Sequence, residues 1–292
     1  MTRTLLLDTD LGSDVDDELA LALLWGSPEV SIHAICTTYG DTALRTRIVL
    51  RMAQLAGRGV QVAPGETATL SGEDVWWAGI EGAAYGPLPG LPGSVPLHPS
   101  AGVRLLLDGP ADAELLAIGP LTSVAVALDE GLEVAGITVM GGDWADPAEL
   151  EHNIASDIVA AERVLGSGTP ITVVGIDVTR QVRFGEAEIA RFASCGALGA
   201  ILATEMRSWM ARWDEDFEVP HDPLTALAML QPDLFSFSPP GAVEVARTGA
   251  VRRLGREGSV RVATGVDVDA ARTAMADRIA RGLGEQREPV AR

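Results

Sequence analysis

The 292-residue chain is 47% apolar and 22% charged, which excludes intrinsic disorder and collagen-like repeats and leaves enough apolar sequence for one large core or two modest ones. Against 41 Asp plus Glu it carries 22 Arg and no Lys, a formal net charge of -19 that would repel a nucleic-acid backbone or an anionic bilayer. Nucleic acid and membrane are therefore excluded as expected partners.

The apolar run Leu5-Leu6-Leu7 is too short for a signal-peptide core, and no stretch approaches the length of a membrane span. The two cysteines, Cys36 and Cys195, stand far apart with no CxxC pair, which fits a reduced, cytoplasmic protein.

In chain order, residues 5–7 read as a short buried strand that runs into an acidic loop, and residues 18–25 (ELALALLW) as a helix. Residues 31–38 predict a second strand and 42–56 a helix. Strand 115–118, helix 121–128 and strands 137–140 and 171–174 continue the alternation, and residues 269–283 read as a closing helix. Such alternation predicts an α/β fold, a single domain over residues 1–292 with a mostly parallel, Rossmann-like central sheet flanked by helices. The Gly- and Pro-rich stretch 82–98 interrupts the pattern without ending it, so a surface loop or lid is expected there rather than a linker.

Between Asp8 and Glu18 the chain places Asp8, Asp10, Asp14, Asp16, Asp17 and Glu18, six acids in eleven positions, where a strand ends and a helix begins. Open α/β sheets bind ligands at the carboxyl ends of their strands. Two carboxylates about 4 Å apart repel by roughly 4 kcal/mol at an effective dielectric near 20, so several packed together need a cation or protons. Helix capping accounts for one or two of the acids but not for six. A ligand set of oxygens without His or Cys favours Ca²⁺ or Mg²⁺ over zinc. An EF-hand fails, since Gly12 stands where a ligand is needed. An aspartyl-nucleophile phosphatase, with Asp8 as nucleophile in Asp8-Thr9-Asp10-Leu11, is the alternative, although Gly12 replaces its usual hydroxyl or β-branched residue. Walker A, GxSxG and HExxH motifs are absent.

Two further segments carry polar residues in informative places. His221-Asp222-Pro223 precedes the apolar run 224–230, so Asp222 is expected to cap a helix. Asn153, in Glu151-His152-Asn153, is the single Asn of the chain. In an extended segment Glu151 and Asn153 would share a face and grip adjacent sugar hydroxyls.

Taken together, the blocks Asp8-Thr9-Asp10 through Asp16-Asp17, Thr37-Thr38-Tyr39-Gly40-Asp41, Ile118-Gly119-Pro120-Leu121-Thr122, Met140-Gly141-Gly142, Glu151-His152-Asn153, Gly175-Ile176-Asp177-Val178-Thr179 and His221-Asp222-Pro223 resemble the inosine–uridine-preferring nucleoside hydrolase family, in the family's order. The resemblance implies the nucleoside hydrolase fold and calcium-dependent hydrolysis of ribonucleosides to free base and ribose. It implies a Ca²⁺ held by Asp10, Asp17, Asp222 and the backbone carbonyl of Ile118. Asp10 would act as general base on a water whose pKa the ion lowers. Asp16, Asp41, Glu151 and Asn153 would bind the sugar, and His221 would protonate or hydrogen-bond the departing base. Trp144, Trp209 and Trp213 lie in segments that would border the base, with Trp209 the stacking candidate.

Three departures from the family pattern stand out. Asp10 and the Asp16-Asp17 pair lie two residues further apart than in the best-known family form, so either Asp14 or Asp16 contacts the sugar. Asp41 stands where protozoan members carry Asn. The segment 77–82 lacks the His of some purine-processing members, so the preferred base stays open. The resemblance also implies a homodimer or homotetramer. A non-catalytic nucleoside- or sugar-binding protein of the same fold is a further alternative. Arg252, Arg253 and Arg256 read as a solvated hairpin rather than a phosphate site.

Overall fold

The computed structural model describes residues 2–90, 100–146 and 148–285. The strands are β1 (Arg3–Thr9), β2 (Val30–Thr37), β3 (Val62–Pro64), β4 (Glu114–Ala117), β5 (Gly136–Met140), β6 (Ile171–Val174), β7 (Phe235–Phe237), β8 (Val243–Val245), β9 (Val251–Arg253) and β10 (Val260–Val266). The helices are α1 (Asp16–Trp25), α2 (Thr42–Ala56), α3 (Ala101–Leu107), α4 (Thr122–Asp129), α5 (His152–Ser156), α6 (Ile158–Leu165), α7 (Ile176–Thr179), α8 (Glu186–Ala193), α9 (Gly196–Trp213), α10 (His221–Leu230) and α11 (Val268–Gly282).

Eight strands form one sheet in the order β3-β2-β1-β4-β5-β6-β10-β7, parallel throughout except for β7, which runs antiparallel to β10. The hairpin β8–β9 stands apart, with Arg252 paired to Glu244 across it, as expected of a solvated hairpin.

A central parallel strand is covered on both faces and therefore reads as a continuous apolar run. Leu5, Leu6 and Leu7 of β1 are all fully buried, and their alternation divides the core. Leu5 and Leu7 pack with α1, α2 and α8 to α11, whereas Leu6 packs with α3, α4 and α6 on the other face. The result is a single α/β domain with a mostly parallel sheet between helical layers. Among the described residues no helix is long and apolar enough to cross a membrane.

Chain order reverses at β1. From there β2 and β3 extend the sheet one way, while β4, β5 and β6 extend it the other. The carboxyl ends of β1 and β4 therefore flank a topological switch point, where the flanking loops diverge and leave a crevice.

The helix expected over 18–25 begins earlier, at Asp16. Three acids occupy its first turn, where the partial positive charge of the unpaired N–H groups offsets their cost. Of the expected loop 82–98, residues 82–90 are tied down by a 3₁₀ turn at Ala83–Tyr85, whose Tyr85 is buried. The Ala84 N–H donates to Glu205 on α9 at 3.1 Å. The remaining residues of that stretch lie outside the described residues.

Candidate active site

The loop after β1 turns on Gly12, whose φ of +118° suits glycine; a Cβ there would meet the Ile48 methyl carbon at 2.7 Å. This turn lets the chain fold back over the switch point, so that Asp10 and the first turn of α1 face one crevice. Across it Asp222 projects from α10. Asp10, Asp16, Asp17 and Asp222 are all buried. Asp16, Asp17 and Asp222 bring a carboxylate oxygen each within 4.8 Å of one another.

Short polar contacts fix the group. The Thr9 hydroxyl donates to Asp17, and Asp16 accepts the backbone N–H groups of Asp17 at 3.2 Å and of Asp222 at 3.3 Å. Gly119, just after β4, is required by a close approach, because a Cβ there would lie 2.8 Å from Asp10 Oδ1 and 2.9 Å from its backbone nitrogen. Asp222 does not cap α10 as expected. Pro220 is the residue before the helix, and Asp222 sits in the first turn with its own N–H given to Asp16.

Burial is the largest cause pushing the Asp16, Asp17 and Asp222 carboxyls well above the usual carboxylate range, and their mutual repulsion adds to it. Half-buried Asp14, raised by desolvation and then by Glu218, and buried Glu218, raised by desolvation and then by Asp16, extend the same field. Such a group cannot be fully ionised without a counter-charge. Hard oxygen donors in this number fit a divalent cation of the Ca²⁺ or Mg²⁺ kind.

The protein's own contribution is Arg45 on α2, fully buried and 3.8 Å from Asp10 Oδ2. Its guanidinium donates to the carbonyls of Tyr39 at 2.8 Å and Leu11 at 3.0 Å, and it lies over the Trp77 ring. Replacement of Arg45 by Met is expected to destabilise the protein by about 3–5 kcal/mol, because two carbonyls and Asp10 lose the buried cation that serves them; urea unfolding measures it. A loss below about 1 kcal/mol would refute a structural role for this arginine.

Glu151 and Asn153 are not in an extended segment. Glu151 caps α5, accepting the N–H groups of Asn153 at 2.7 Å and Ile154 at 3.0 Å, and also that of Gly142 at 2.8 Å. Burial raises its carboxyl above the usual range against those three donors. Asn153 Nδ2 donates to the carbonyls of Ile118 at 3.0 Å and Met140 at 3.3 Å. The Ile118 carbonyl, expected as a metal ligand, therefore already serves Asn153 and has one further lone pair to offer.

His221 Nδ1 lies 2.6 Å from the Thr179 hydroxyl. Burial, followed by the nearby Arg180, pushes its imidazole down to about 4, so it is neutral at pH 7. In the native protein it resists a proton that the unfolded chain accepts near pH 6.5, so stability is lost as pH falls from 6.5 towards 4. Comparison of wild type with His221→Gln by denaturant titration at pH 4.5 and 7 is expected to show the variant losing less on acidification, by up to about 3 kcal/mol at the low end. Equal losses would mean that the ring is accessible to protons in the folded state.

The carboxylates of Asp10, Asp16, Asp17 and Asp222, with Arg45, Glu151, Asn153 and His221, open into one cavity of about 420 Å³, a volume typical of small-molecule sites. Asp10, Asp16, Asp17, Ile118, Glu151, Asn153, Trp209, His221 and Asp222 line it, together with Asp14. Two expected residues lie elsewhere. Asp41 is exposed, caps α2 by accepting the Leu44 N–H at 2.9 Å, and is not among the lining residues. Trp144 gives its indole N–H to Gly141 and packs against the core, whereas Trp213 joins Trp209 in the wall.

Asp8, the nucleophile of the phosphatase alternative, is fully buried within β1 and does not line the cavity. Burial pushes its carboxyl up to about 8, against the neighbouring Cys36 thiol, which lowers it. A carboxyl so enclosed cannot attack a phosphate. The sequence reading also missed lining residues, namely Tyr39, Arg45, Trp76, His152 and Arg180. Arg45 alone carried a signal, as an arginine on the helical stretch 42–56 among positions that otherwise read as core.

The fold and the site define an α/β enzyme with a carboxylate-rich, largely buried ligand cavity at the switch point of a parallel sheet. Residues 5–273 match the family model described as inosine-uridine preferring nucleoside hydrolase, and the chain belongs to that family, whose members hydrolyse N-glycosyl compounds. It is 31% identical over 269 residues to uridine nucleosidase 1 of Arabidopsis thaliana, covering 84% of this chain and 79% of that protein. It is 32% identical over 261 residues to the pyrimidine-specific ribonucleoside hydrolase RihA of Salmonella arizonae, covering 81% of this chain and 82% of the relative. Among solved structures, a purine-preferring ribonucleoside hydrolase from Gardnerella vaginalis superposes with a TM-score of 0.83 at 25% identity, covering 96% of this chain and 99% of the other. The plant nucleoside hydrolase PpNRh1 shares the fold, with a TM-score of 0.83 at 24% identity and the same coverage.

Proposed function

We propose that this chain hydrolyses the N-glycosidic bond of ribonucleosides with a calcium ion held by Asp10, Asp17, Asp222 and the Ile118 carbonyl. The observation that carries the reading is the buried Asp16, Asp17 and Asp222 group beside Asp10, in a cavity of small-molecule size at the switch point. An all-oxygen donor set with room for sugar hydroxyls suits the larger, more variable coordination shell of Ca²⁺ better than the stricter octahedron of Mg²⁺. When bound, such an ion lowers the pKa of water and orients vicinal hydroxyls.

The chain's own residues do the rest. Asp10 takes the proton from the attacking water, with Arg45 behind it holding the carboxylate in place. Asp16, Glu151 and Asn153 bind the ribose hydroxyls, Asp16 being favoured over Asp14 because it belongs to the tight carboxylate group. Glu151, with its oxygens already turned to three backbone donors, is a rigid acceptor rather than a mobile one. His221, neutral and held through Nδ1 by Thr179, presents Nε2 to the departing base as a hydrogen-bond donor rather than as an imidazolium acid. Trp209 supplies a stacking face. Asp41 has no part in this reading. Assembly as a homodimer or homotetramer, a cytoplasmic location and a lid formed by 82–98 belong to the same reading, on the strength of resemblance and composition alone.

The test is reducing-sugar release from purine and pyrimidine nucleosides, uridine first because two of the sequence relatives are named for uridine and pyrimidine substrates. Each is assayed before chelation, after it, and after Ca²⁺ is restored. Release that is lost and recovered with the ion is the expected result. Silence over the panel while Ca²⁺ still binds would overturn the hydrolytic reading in favour of a binding protein.

A further inference from the structure

The segments after β5 and β6 leave neighbouring strands, about 4.8 Å apart, and an ion pair joins them at the cavity. Glu149, two residues before the Glu151 cap, meets Arg180, the residue after α7, at 2.7 Å. Both side chains are half-exposed; a pair so placed adds little stability but fixes where the guanidinium stands. It stands beside His221. Thr179, the residue before Arg180, holds the His221 ring, and Arg180 and His221 share the cavity wall with Trp209 and Trp213.

Two arginines line the cavity. Arg45 is buried, and its donors are committed to the Tyr39 and Leu11 carbonyls and to Asp10. The Arg180 guanidinium carries five N–H donors, and among the described residues Glu149 is its only partner. Arg180 is therefore the arginine with donors to spare, in a cavity otherwise rich in carboxylates.

A planar fork of donors matches an edge that presents acceptors. Guanine, and hypoxanthine with it, offers N7 and O6, and uracil offers O4, whereas adenine and cytosine place an amino group at that position, so that donor would meet donor. Cleavage sharpens the difference. As the C1′–N bond breaks, its electron pair stays with the base and spreads onto the oxo oxygen, while the water oxygen bonds to C1′ and its proton passes to Asp10. A contact between Arg180 and the oxo oxygen strengthens as that charge arrives, and the base leaves as an anion that then takes a proton from solvent.

We propose that Arg180 reads the base, selecting a heterocycle with an oxo edge over one with an amino edge and balancing part of the charge that the base takes away. Glu149 is the positioning residue that holds the guanidinium at this wall. The division so set runs across purines and pyrimidines rather than between them. This assignment rests on the hydrolase reading above, which places the base at His221.

The experiment compares kcat and KM for inosine, adenosine, uridine, cytidine and p-nitrophenyl β-D-ribofuranoside, whose phenolate leaves without help. Wild type, Arg180→Met and Arg180→Lys are assayed, with thermal melting as the folding control. Wild type is expected to prefer inosine to adenosine and uridine to cytidine, each by roughly tenfold or more in kcat/KM. Arg180→Met is expected to slow the two oxo substrates by roughly 10- to 100-fold, the scale of one charged hydrogen bond, mainly in kcat, and to leave the amino substrates and the aryl riboside within about threefold. Arg180→Lys, which keeps the charge and loses the fork, is expected to recover part of the rate. A wild type that favours the amino bases, an equal fall across all five substrates in Arg180→Met, or an oxo preference that survives that substitution overturns the assignment. If wild type cleaves no nucleoside, the hydrolytic reading fails on its own. The same pairs are then compared as affinities by calorimetry, where loss of the oxo preference in Arg180→Met supports the assignment and its retention overturns it.

Discussion

An Asp10→Asn protein is expected to bind nucleosides within an order of magnitude of wild type while its turnover falls by about 10²–10⁴-fold, the range for loss of a positioned general base. The two halves of this result have separate causes. Asp10 lies outside the tight group of Asp16, Asp17 and Asp222, so an ion keeps most of its anionic donors in the variant. The sugar contacts assigned to Glu151 and Asn153 are equally untouched. What disappears is the carboxylate that Arg45 holds from behind and Gly119 admits from the side. Calorimetry with a slowly cleaved nucleoside and a single-turnover assay separate the two quantities. Turnover that survives the substitution would move the proton acceptor to Asp14 or Asp16. If wild type and variant prove equally inert, the non-catalytic binder is the better description.

The ion-free protein is expected to lose stability as pH rises from about 6.5 to 8.5, and added Ca²⁺ to cancel that loss. The sign follows from the direction of the shifts. Asp16, Asp17 and Asp222 have native carboxyls well above their unfolded range, and Asp8 is raised to about 8. The native state then holds protons that the unfolded chain has already released, so the contribution is present at low pH and vanishes as pH passes the native values. His221 acts in the opposite sense, but only below 6.5, and leaves this window clear. With the ion bound, the same carboxylates are wanted deprotonated, so binding should release protons and tighten with pH. At a concentration 100 times Kd the gain is about 2.7 kcal/mol. Melting curves across pH, with chelator and with Ca²⁺, give the answer. A chelated protein as stable at pH 8.5 as at pH 6.5 would mean that the group carries its own compensation.

Much of this architecture was legible in the sequence because a buried parallel strand writes itself as an unbroken apolar run. Strand 171–174 and helix 42–56 were read to the residue, since Asp41 and Gly57 punctuate the helix with a cap and a left-handed stop. The acidic loop marked the site for a related reason, as no packing or capping need explains so many acids at one strand end. Other features depended on tertiary detail. The start of α1 was misplaced because Asp16 and Asp17 look like loop residues until the helix dipole is seen to accommodate them. Glu151 and Asn153 were expected on one face of an extended segment, but the carboxylate of Glu151 starts a helix at the next residue. Asp41, next to a glycine at the end of β2, was indistinguishable by type from a ligand, yet its backbone placement makes it a cap. One cluster of rings in the cavity wall was hidden for a different reason. Tyr39, Trp76 and His152 come from three separated segments, and nothing in local pattern says that they meet.

The side-chain amide of Asn153 has a wider consequence. Beyond the last ladder bonds of β4 and β5, the carbonyls of Ile118 and Met140 both present lone pairs to the same small space. Two acceptors facing each other repel unless one group offers a hydrogen to each, and a primary amide does so without adding charge. A carboxylate at this position would bring more lone pairs, and a serine only a single hydrogen. The amide thus works as an extra rung that sets the gap between two strand ends. The spacing of this edge of the cavity and the presence of a lone amide in an acid-rich chain follow from the same hydrogen count.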